Sequence, residues 1–194
     1  EEYMSRLPLL NPSQLTPEQK HTYQSLVAGP RGKNIVDENG TLTGPFNAML
    51  YSPQIGNALQ ELGAQLRFHS ELPQNLLELA IITIGAHWKA QFEFWAHSKL
   101  AKEAGITEEV ISAIKNFQTP NLKNEEKIIY DFCQEMLDRR RISTKNYENT
   151  LSLLGEKGLL ELVALLGYYS TISILLNTFE IPVPTTEQAP FEEP

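Results

Sequence analysis

The decisive stretch of the sequence covers residues 74–105, QNLLELAIITIGAHWKAQFEFWAHSKLAKEAG. Its first part, residues 76–84, is apolar around nearly the whole circumference of a helix, which predicts a helix at the centre of the fold. A second helix is predicted over residues 90–104, ended by Gly105 at a position that favours glycine. Glu78 interrupts the apolar run, and a carboxylate placed there needs a compensating partner.

Helical signals recur on both sides of this segment. Thr16 before Pro17 is typical of a helix start. A helix before residue 70 carries apolar residues at spacings of three and four, which predicts one buried stripe. The stripe consists of Ile55, Leu59, Leu62 and Leu66. Further helices are predicted over residues 124–140, 144–154 and 159–176. Because no segment shows sustained strand alternation, the sequence predicts an all-α fold, with an exposed loop over residues 29–44.

Composition and charge limit the classes of partner. The 194 residues carry a net charge of -8, with 24 acidic residues against 16 basic ones. No basic run exceeds residues 139–141, which argues against nucleic acid or an anionic membrane as the main partner. The single cysteine, Cys133, excludes a disulfide within this sequence and a CxxC redox or zinc site. We therefore expect a small-molecule substrate or another protein surface as the partner.

The sequence predicts one domain, residues 1–182, followed by a proline-rich tail over residues 183–194. The tail is expected to be mobile or to lie over a neighbouring subunit. Cytoplasm is the expected location, because no apolar signal stretch is present, and removal of a leader stays open. Residues 159–176 are apolar enough for a membrane span, but Tyr168 and Tyr169 in their middle favour a buried core or subunit-interface helix.

The tetrapeptide LLEL occurs twice, at residues 76–79 and 159–162. This repetition suggests a degenerate internal duplication of one helical unit, with a chance match between leucine-rich helices as the alternative. In the second copy Leu176 stands where Glu93 stands in the first, so that copy would keep only a packing role.

Ionisable residues concentrate around the two central helices. Glu93 and His97 lie one helical turn apart on one face, within reach of each other or of a shared water. Glu78 is expected to be buried or to point into a central cavity. Arg67 could hold a substrate carboxylate or neutralise Glu78. We therefore predict proton transfer by Glu78, Glu93 and His97.

Aromatic residues in the same segment predict an apolar wall for a small ligand. They are Phe92, Phe94 and Trp95. His87 and Trp88, at the turn between the two helices, are expected to line the mouth of the same pocket and to contact substrate.

Each feature also has a purely structural interpretation. A Glu four residues before a His is commonly a surface pair worth about 0.3–0.5 kcal/mol, and Glu78 with Arg67 can be a structural ion pair. His87 can cap its helix, and Trp88 can belong to the core. A transition-metal site is a further alternative, although the spacing matches neither HExxH nor the paired ExxH of di-iron bundles.

Glu78, residues 90–97 (AQFEFWAH), Ala101 and residues 104–109 (AGITEE) together resemble the core motif of the carboxymuconolactone decarboxylase and alkylhydroperoxidase D superfamily. The likeness extends more loosely over residues 40–182. The additional matches are Gly44-Pro45-Phe46, Leu66-Arg67-Phe68 and Gly167-Tyr168-Tyr169. The resemblance implies an alkylhydroperoxidase D-like helical bundle that assembles as a homo-oligomer, either a trimer or a hexamer built from dimers.

The peroxidase branch of that superfamily has a glutamate, then a CxxC motif twelve residues later, then a histidine four residues after the second cysteine. Glu78 and His97 match the glutamate and the histidine. Ala90 and Glu93 occupy the two cysteine positions, so the usual dithiol cycle is not expected here. Cys133 matches no thiol of the family pattern.

The remaining carboxylates and imidazole are more similar to the decarboxylase side, whose members act without a metal or organic cofactor. This resemblance implies a lyase or isomerase of a small unsaturated carboxylic acid or lactone. Glu93 or His97 would be the acid, Glu78 would orient the imidazole, and Arg67 or His87 would hold substrate oxygen. Two alternatives stay open: an antioxidant protein that uses an external thiol, and a non-enzymatic ligand-binding or assembly module.

Overall fold

The computed structural model describes residues 5–192, and this part of the chain forms eight α-helices. They are α1 (Pro17–Ala28), α2 (Pro45–Met49), α3 (Pro53–Phe68), α4 (Gln74–His87), α5 (Gln91–Glu103), α6 (Glu108–Lys115), α7 (Asn124–Arg139) and α8 (Thr144–Thr178). Two short 3-10 turns and one isolated bridge accompany them, with no β-strand in the described range. The all-α prediction is confirmed. The first four residues of the predicted domain and the last two of the predicted tail lie outside the described residues.

Helix α4 lies at the centre of the fold, as its apolar sequence predicts. Every residue from Leu76 to Ala86 is buried. Leu77 and Ile81 pack with α7 and α8, whereas Leu79 and Ile82 belong to a second apolar cluster with α5 and α6. Each such buried side chain contributes about 1.5–3 kcal/mol. An all-round apolar helix is therefore stabilised only where other helices cover it on every side.

Helix α3 packs through a different face from the predicted one. Leu66 is buried, but Ile55 is 62% exposed and Leu62 is 44% exposed. The buried face contains Gly56 instead, where a Cβ atom would lie 2.2 Å from the carbonyl oxygen of Met49. The stripe prediction is wrong for Ile55 and Leu62, because close backbone approach at a glycine decides which face packs.

The predicted homo-oligomer stays a prediction, which a measurement of the molecular mass of the protein in solution tests.

The loop between α1 and α2 folds back onto the helices. Ile35 and Leu42 are buried in a cluster with Leu26 of α1 and Leu50 at the end of α2. Arg31 is also buried. The prediction of an exposed loop is therefore wrong, because the few apolar side chains in a polar segment are enough to anchor it.

Helix α8 is kinked at Gly155, where the backbone φ is 68°. The sequence predicts two helices there, and the structure continues one into the other across this residue, since glycine adopts positive φ without strain.

Among residues 5–192, α8 is the one helix long and apolar enough to cross a membrane, but half of its apolar window is buried inside the protein. This burial favours the core-helix interpretation.

The two LLEL segments differ in environment. Leu77 is 1% exposed and its counterpart Leu160 is 69% exposed. Glu78 is fully buried, whereas the side chain of Glu161 is 18% exposed and lies near Lys157. Duplication of the helical unit stays a prediction.

The C-terminal tail packs on its own chain. The ring of Phe191 is buried, 5.0 Å from that of Phe94. The side-chain amide of Gln91 donates to the backbone oxygen of Phe191 at 2.8 Å and accepts from its N–H at 2.9 Å. Lys99 Nζ lies 2.8 Å from a Glu187 oxygen. A buried ring and paired backbone groups hold this tail against α5, so the expectation of a mobile tail is wrong for its described part. Contact of the tail with a neighbouring subunit stays a prediction.

Candidate active site

Three hydrogen-bonded side chains connect α4 with α5. His97 Nδ1 lies 2.6 Å from Glu78 Oε2, and His97 Nε2 lies 3.0 Å from Glu93 Oε1. Glu78 is fully buried, and the side chains of Glu93 and His97 are 5% and 8% exposed. The structure therefore brings the three residues predicted for proton transfer together through both nitrogens of one imidazole.

The turn between the two helices explains how these side chains meet. Lys89 adopts a positive φ of 48°, and the next residue donates its N–H to Gly85 O at 2.9 Å. A Cβ atom at Gly85 would lie 3.4 Å from the backbone nitrogen of Phe94, so a small residue lets α5 pack closely on α4. His97 meets Glu78 across this contact, and Glu93 lies beside His97 because the two share one face of α5.

Each oxygen of the Glu78 carboxylate has a partner. His97 Nδ1 is hydrogen-bonded to Oε2, and Gln74 Nε2 donates to Oε1 at 2.8 Å. Arg67 Nη2 lies 3.8 Å from the same Oε1. These contacts offset the free-energy cost of burying the carboxylate. Arg67 also lines the pocket described below. Its position is therefore compatible with both predicted roles, neutralising Glu78 and holding a substrate carboxylate.

The environment of His97 favours its charged form. Burial alone lowers the pKa of His97, but the neighbouring Glu78 and Glu93 carboxylates more than offset this, and the pKa lies above its ordinary value of 6.5. In its protonated form the imidazole donates to a carboxylate from each nitrogen. An imidazolium in this position can act as a general acid, and Glu93 can pass its proton to a ligand in the pocket.

We expect the free energy of unfolding to depend on pH through His97. Because its pKa is raised in the folded state, the contribution is complete below the unfolded pKa and is lost as pH rises through the folded pKa. Denaturation at a series of pH values, for the natural chain and for His97→Gln, measures it. The stability advantage of the natural chain should shrink as the pH becomes alkaline. An advantage that grows with pH would contradict a raised pKa.

Glu93 and His97 open onto a pocket of about 710 Å³, a size typical of small-molecule sites. Six aromatic rings contribute to its wall, beside charged and polar side chains. The rings belong to Phe46, Phe68, Phe92, Trp95, Tyr168 and Tyr169. The Tyr169 ring packs edge-on against that of His97, with centroids 5.2 Å apart. Phe92 and Trp95 thus occupy the predicted wall, whereas Phe94 is buried with Phe191 on another side of α5.

Sequence reasoning did not identify Arg31, Tyr168 or Tyr169 as site residues. The two adjacent phenol groups in the apolar run of α8 were the available signal for the tyrosines. Burial raises the pKa of Tyr168 to about 12 and that of Tyr169 well above 10, so both hydroxyls stay protonated and can donate hydrogen bonds. Arg31 comes from the loop that was expected to be exposed, and its local sequence carries no functional pattern.

His87 and Trp88 lie outside this pocket. His87 lines a separate cavity of about 180 Å³ between α4, α6 and α7, with Nδ1 3.8 Å from Asp138 Oδ1. Trp88 packs against the main core, and its carbonyl accepts from Asn177 at 2.7 Å. The expectation that they line the mouth of the same pocket is therefore wrong. Nine residues at about 100° each place His87 on the opposite side of α4 from Glu78.

The arrangement of the relay gives no support to a shared metal site. Glu78 and Glu93 bind opposite nitrogens of the His97 ring. Ligands of one metal ion must instead converge on a single point. His87, the other histidine of the predicted ligand set, faces the separate cavity.

Cys133 is expected to be chemically inert in the folded protein. It is fully buried in the main core, and burial raises the pKa of its thiol to about 12, so almost no thiolate forms near neutral pH. Iodoacetamide should label the denatured chain and leave the native chain unmodified, as read by mass spectrometry. Cys133→Ala should leave any activity unchanged. Rapid labelling of the native protein would contradict this prediction and would favour the thiol-based alternative.

Solved structures with this fold cover almost the whole chain. The alkylhydroperoxidase D core of an uncharacterized peroxidase-related protein from Ralstonia eutropha JMP134 superposes with a TM-score of 0.75 at 12% identity, covering 96% of this chain and 95% of that one. A peroxidase-related protein from Silicibacter sp. TM1040 gives 0.73 at 13% identity, with coverages of 94% and 93%. The debrominase Bmp8 gives 0.69 at 13% identity, with coverages of 95% and 94%.

Neither a protein-family model nor a curated protein matches the sequence. At identities of 12–13%, the superpositions establish architecture. They agree with the resemblance carried by Glu78, residues 90–97 and residues 104–109. The chain therefore has the alkylhydroperoxidase D-like helical fold.

Proposed function

We propose that this protein is a cofactor-independent acid–base enzyme, a lyase or isomerase of a small unsaturated carboxylic acid or lactone. The observation that carries the proposal is the buried hydrogen-bonded series Glu78–His97–Glu93, of which His97 and Glu93 line a pocket with aromatic side chains. A surface ion pair would leave these groups in water, whereas this relay lies where a bound ligand excludes solvent.

The proposed decarboxylation needs only residues of the chain. The bond between the substrate carbon and its carboxylate breaks, CO₂ leaves, and the electron pair passes into a conjugated carbonyl as an enolate. His97 or Glu93 then donates a proton to carbon, and water restores that proton to the relay. In an isomerisation, the same groups remove a proton from one carbon and return it to another. Glu78 stays behind His97 and orients it, so it is a positioning residue.

The ligand bound to one structural neighbour supports the proposal that this protein binds a small planar molecule. A cysteine-to-alanine variant of the debrominase Bmp8 is solved in complex with 2,3,4-tribromopyrrole, with a TM-score of 0.68 at 15% identity. The fold can thus hold a flat unsaturated ring. In the present chain, rings from α2, α5 and α8 line the pocket, and such surfaces suit a ligand of that shape.

The test is incubation with small unsaturated acids and lactones in D₂O, followed by proton NMR. A substrate should lose its carboxylate or move its double bond, with deuterium appearing at the carbon that receives the proton. Glu93→Gln should slow this reaction by about 100-fold or more. Glu108→Gln is the matched control, because Glu108 is exposed and pairs only with Lys102, and its rate should be unchanged. Equal rates for both variants would contradict the proposal.

The two alternatives make different predictions. An antioxidant protein would reduce hydroperoxides with an external dithiol and lose this activity on Cys133→Ser, but the buried thiol makes that outcome unexpected. A ligand-binding or assembly module would keep its cellular effect in Glu93→Gln and His97→Ala. The pocket-facing relay favours the enzyme over both.

A further inference from the structure

Two arginine side chains face the pocket with few partners of their own. Arg31 is 7% exposed and donates from Nη1 to the carbonyl oxygen of Gln60 at 3.2 Å. No carboxylate of residues 5–192 lies within 4.0 Å of it. Arg67 Nε is buried and has no hydrogen-bond partner among residues 5–192. A buried guanidinium without a counter-charge is costly, so Arg31 points to a ligand, with Arg67 on the same pocket wall.

The charged groups around the pocket differ in their partners. Glu78 and Glu93 share the imidazole of His97, and Arg67 lies 3.8 Å from Glu78. At the rim, Lys99 is paired with Glu187, and Glu103 is exposed. Arg31 is thus a buried charge of the pocket wall without an ionic partner among residues 5–192, and a bound anion would supply one.

Arg31 and Tyr168 converge beside Gly63. A Cβ atom at Gly63 would lie 2.1 Å from the Tyr168 hydroxyl oxygen and 2.7 Å from Arg31 Nη2. Any larger residue would displace both groups, so the glycine lets a hydroxyl and a guanidinium occupy one region of the wall. The Arg31 guanidinium also lies 5.2 Å from the centroid of the Phe46 ring. A planar cation over an aromatic ring is held in a defined orientation.

We propose that Arg31, Arg67 and Tyr168 form an oxyanion-binding site for a flat conjugated anion, either a carboxylate or a phenolate-like enolate. This inference rests on the proposed function in that both use the same pocket. In the proposed reactions, negative charge develops on a conjugated carbonyl oxygen as the carbon–carbon or carbon–hydrogen bond breaks. Donors fixed around that oxygen stabilise the transition state more than the ground state. Binding of the anion can therefore be measured with molecules that do not react.

Calorimetric titration of the natural chain tests the charge preference. Benzoate is compared with benzamide, and 4-nitrophenolate with 4-nitroaniline. At least one anion should bind about tenfold more tightly than its neutral counterpart, as a charge-assisted hydrogen bond implies. Benzoate preference identifies carboxylate recognition, and 4-nitrophenolate preference identifies enolate recognition. Equal affinity of anion and neutral analogue in both pairs would overturn the proposal.

Variants assign the preference to Arg31. Arg31→Met should remove most of it, and Arg31→Lys should retain part, because lysine keeps the charge without the planar fork. Arg139→Met is the control, since Arg139 is 76% exposed, and it should bind like the natural chain. Circular dichroism verifies folding, and if Arg31→Met does not fold, Arg31→Lys decides. An undiminished preference in the folded Arg31 variants would overturn the assignment.

The same titrations in Glu93→Gln separate this proposal from the enzymatic one. Removing a negative charge next to the site should keep or strengthen the anion preference while slowing turnover by about 100-fold or more. Anion preference without turnover of any acid would support the oxyanion site and contradict the proposed function. Turnover of an acid without anion preference would contradict the oxyanion site alone.

Discussion

Replacing His97 by glutamine is expected to lower turnover of a substrate found in the NMR assay by about 100- to 10,000-fold. Glutamine can still donate a hydrogen bond to Glu78, but it cannot exchange a proton. Since His97 is hydrogen-bonded to both carboxylates, at 2.6 Å and 3.0 Å, its replacement interrupts the path for protons between Glu78 and Glu93. Initial rates at saturating substrate measure the effect.

His21→Gln is the matched control for this substitution, because His21 is exposed on α1 and does not line the pocket. Its turnover should equal that of the natural chain. Single-turnover rates of His97→Gln within a few-fold of the natural value would show that the imidazole does not take part in proton transfer, and the relay would then be structural.

Glu78→Ala is expected to lower the free energy of unfolding by about 3–5 kcal/mol. The carboxylate is fully buried and is a partner of His97, Gln74 and Arg67. Removing it leaves a buried imidazolium next to an enlarged cavity, and both changes destabilise the folded state. Glu78→Gln should cost less, because its amide keeps hydrogen bonds to at least one of these partners. Urea denaturation at neutral pH measures the loss.

The second LLEL segment supplies a matched control for this experiment. Glu161→Ala removes a carboxylate that is partly exposed, lies 3.9 Å from Lys157 and accepts from the Glu71 N–H at 2.8 Å. Its loss should cost about 0.5–1.5 kcal/mol, the net value of an ordinary hydrogen bond. Equal losses for the two alanine variants would mean that Glu78 is not held by a buried network.

The acid–base residues were predictable because their signals are local. Glu78 interrupts an apolar run, so its burial follows from the helix that contains it. Glu93 and His97 are four residues apart on one helix, so their proximity follows from helical geometry. Arg31 and Tyr168 were not predictable as partners, because they come from a loop and a helix separated by more than half of the chain. Their meeting beside Gly63 depends on how α3 packs.

Local patterns also led to errors where tertiary contacts compete with them. His87 follows the apolar run and precedes the aromatic helix, yet its position on the far side of α4 directs it into another cavity. Ile55 and Leu62 have core spacing, yet Gly56 allows closer packing on the adjacent face of α3. The tail is polar and rich in proline, yet one phenylalanine, Phe191, anchors it.

The sequence by itself determined the all-α architecture, the central position of α4, the absence of a dithiol and the one-turn pairing of Glu93 with His97, because periodicity and residue identity settle these properties within a single helix. Only the tertiary structure decided which side chains enclose the pocket, which face of α3 is buried and where the two guanidiniums lie. Those properties depend on how closely separate helices approach, and that approach is controlled by single glycines and by side chains far apart in the chain.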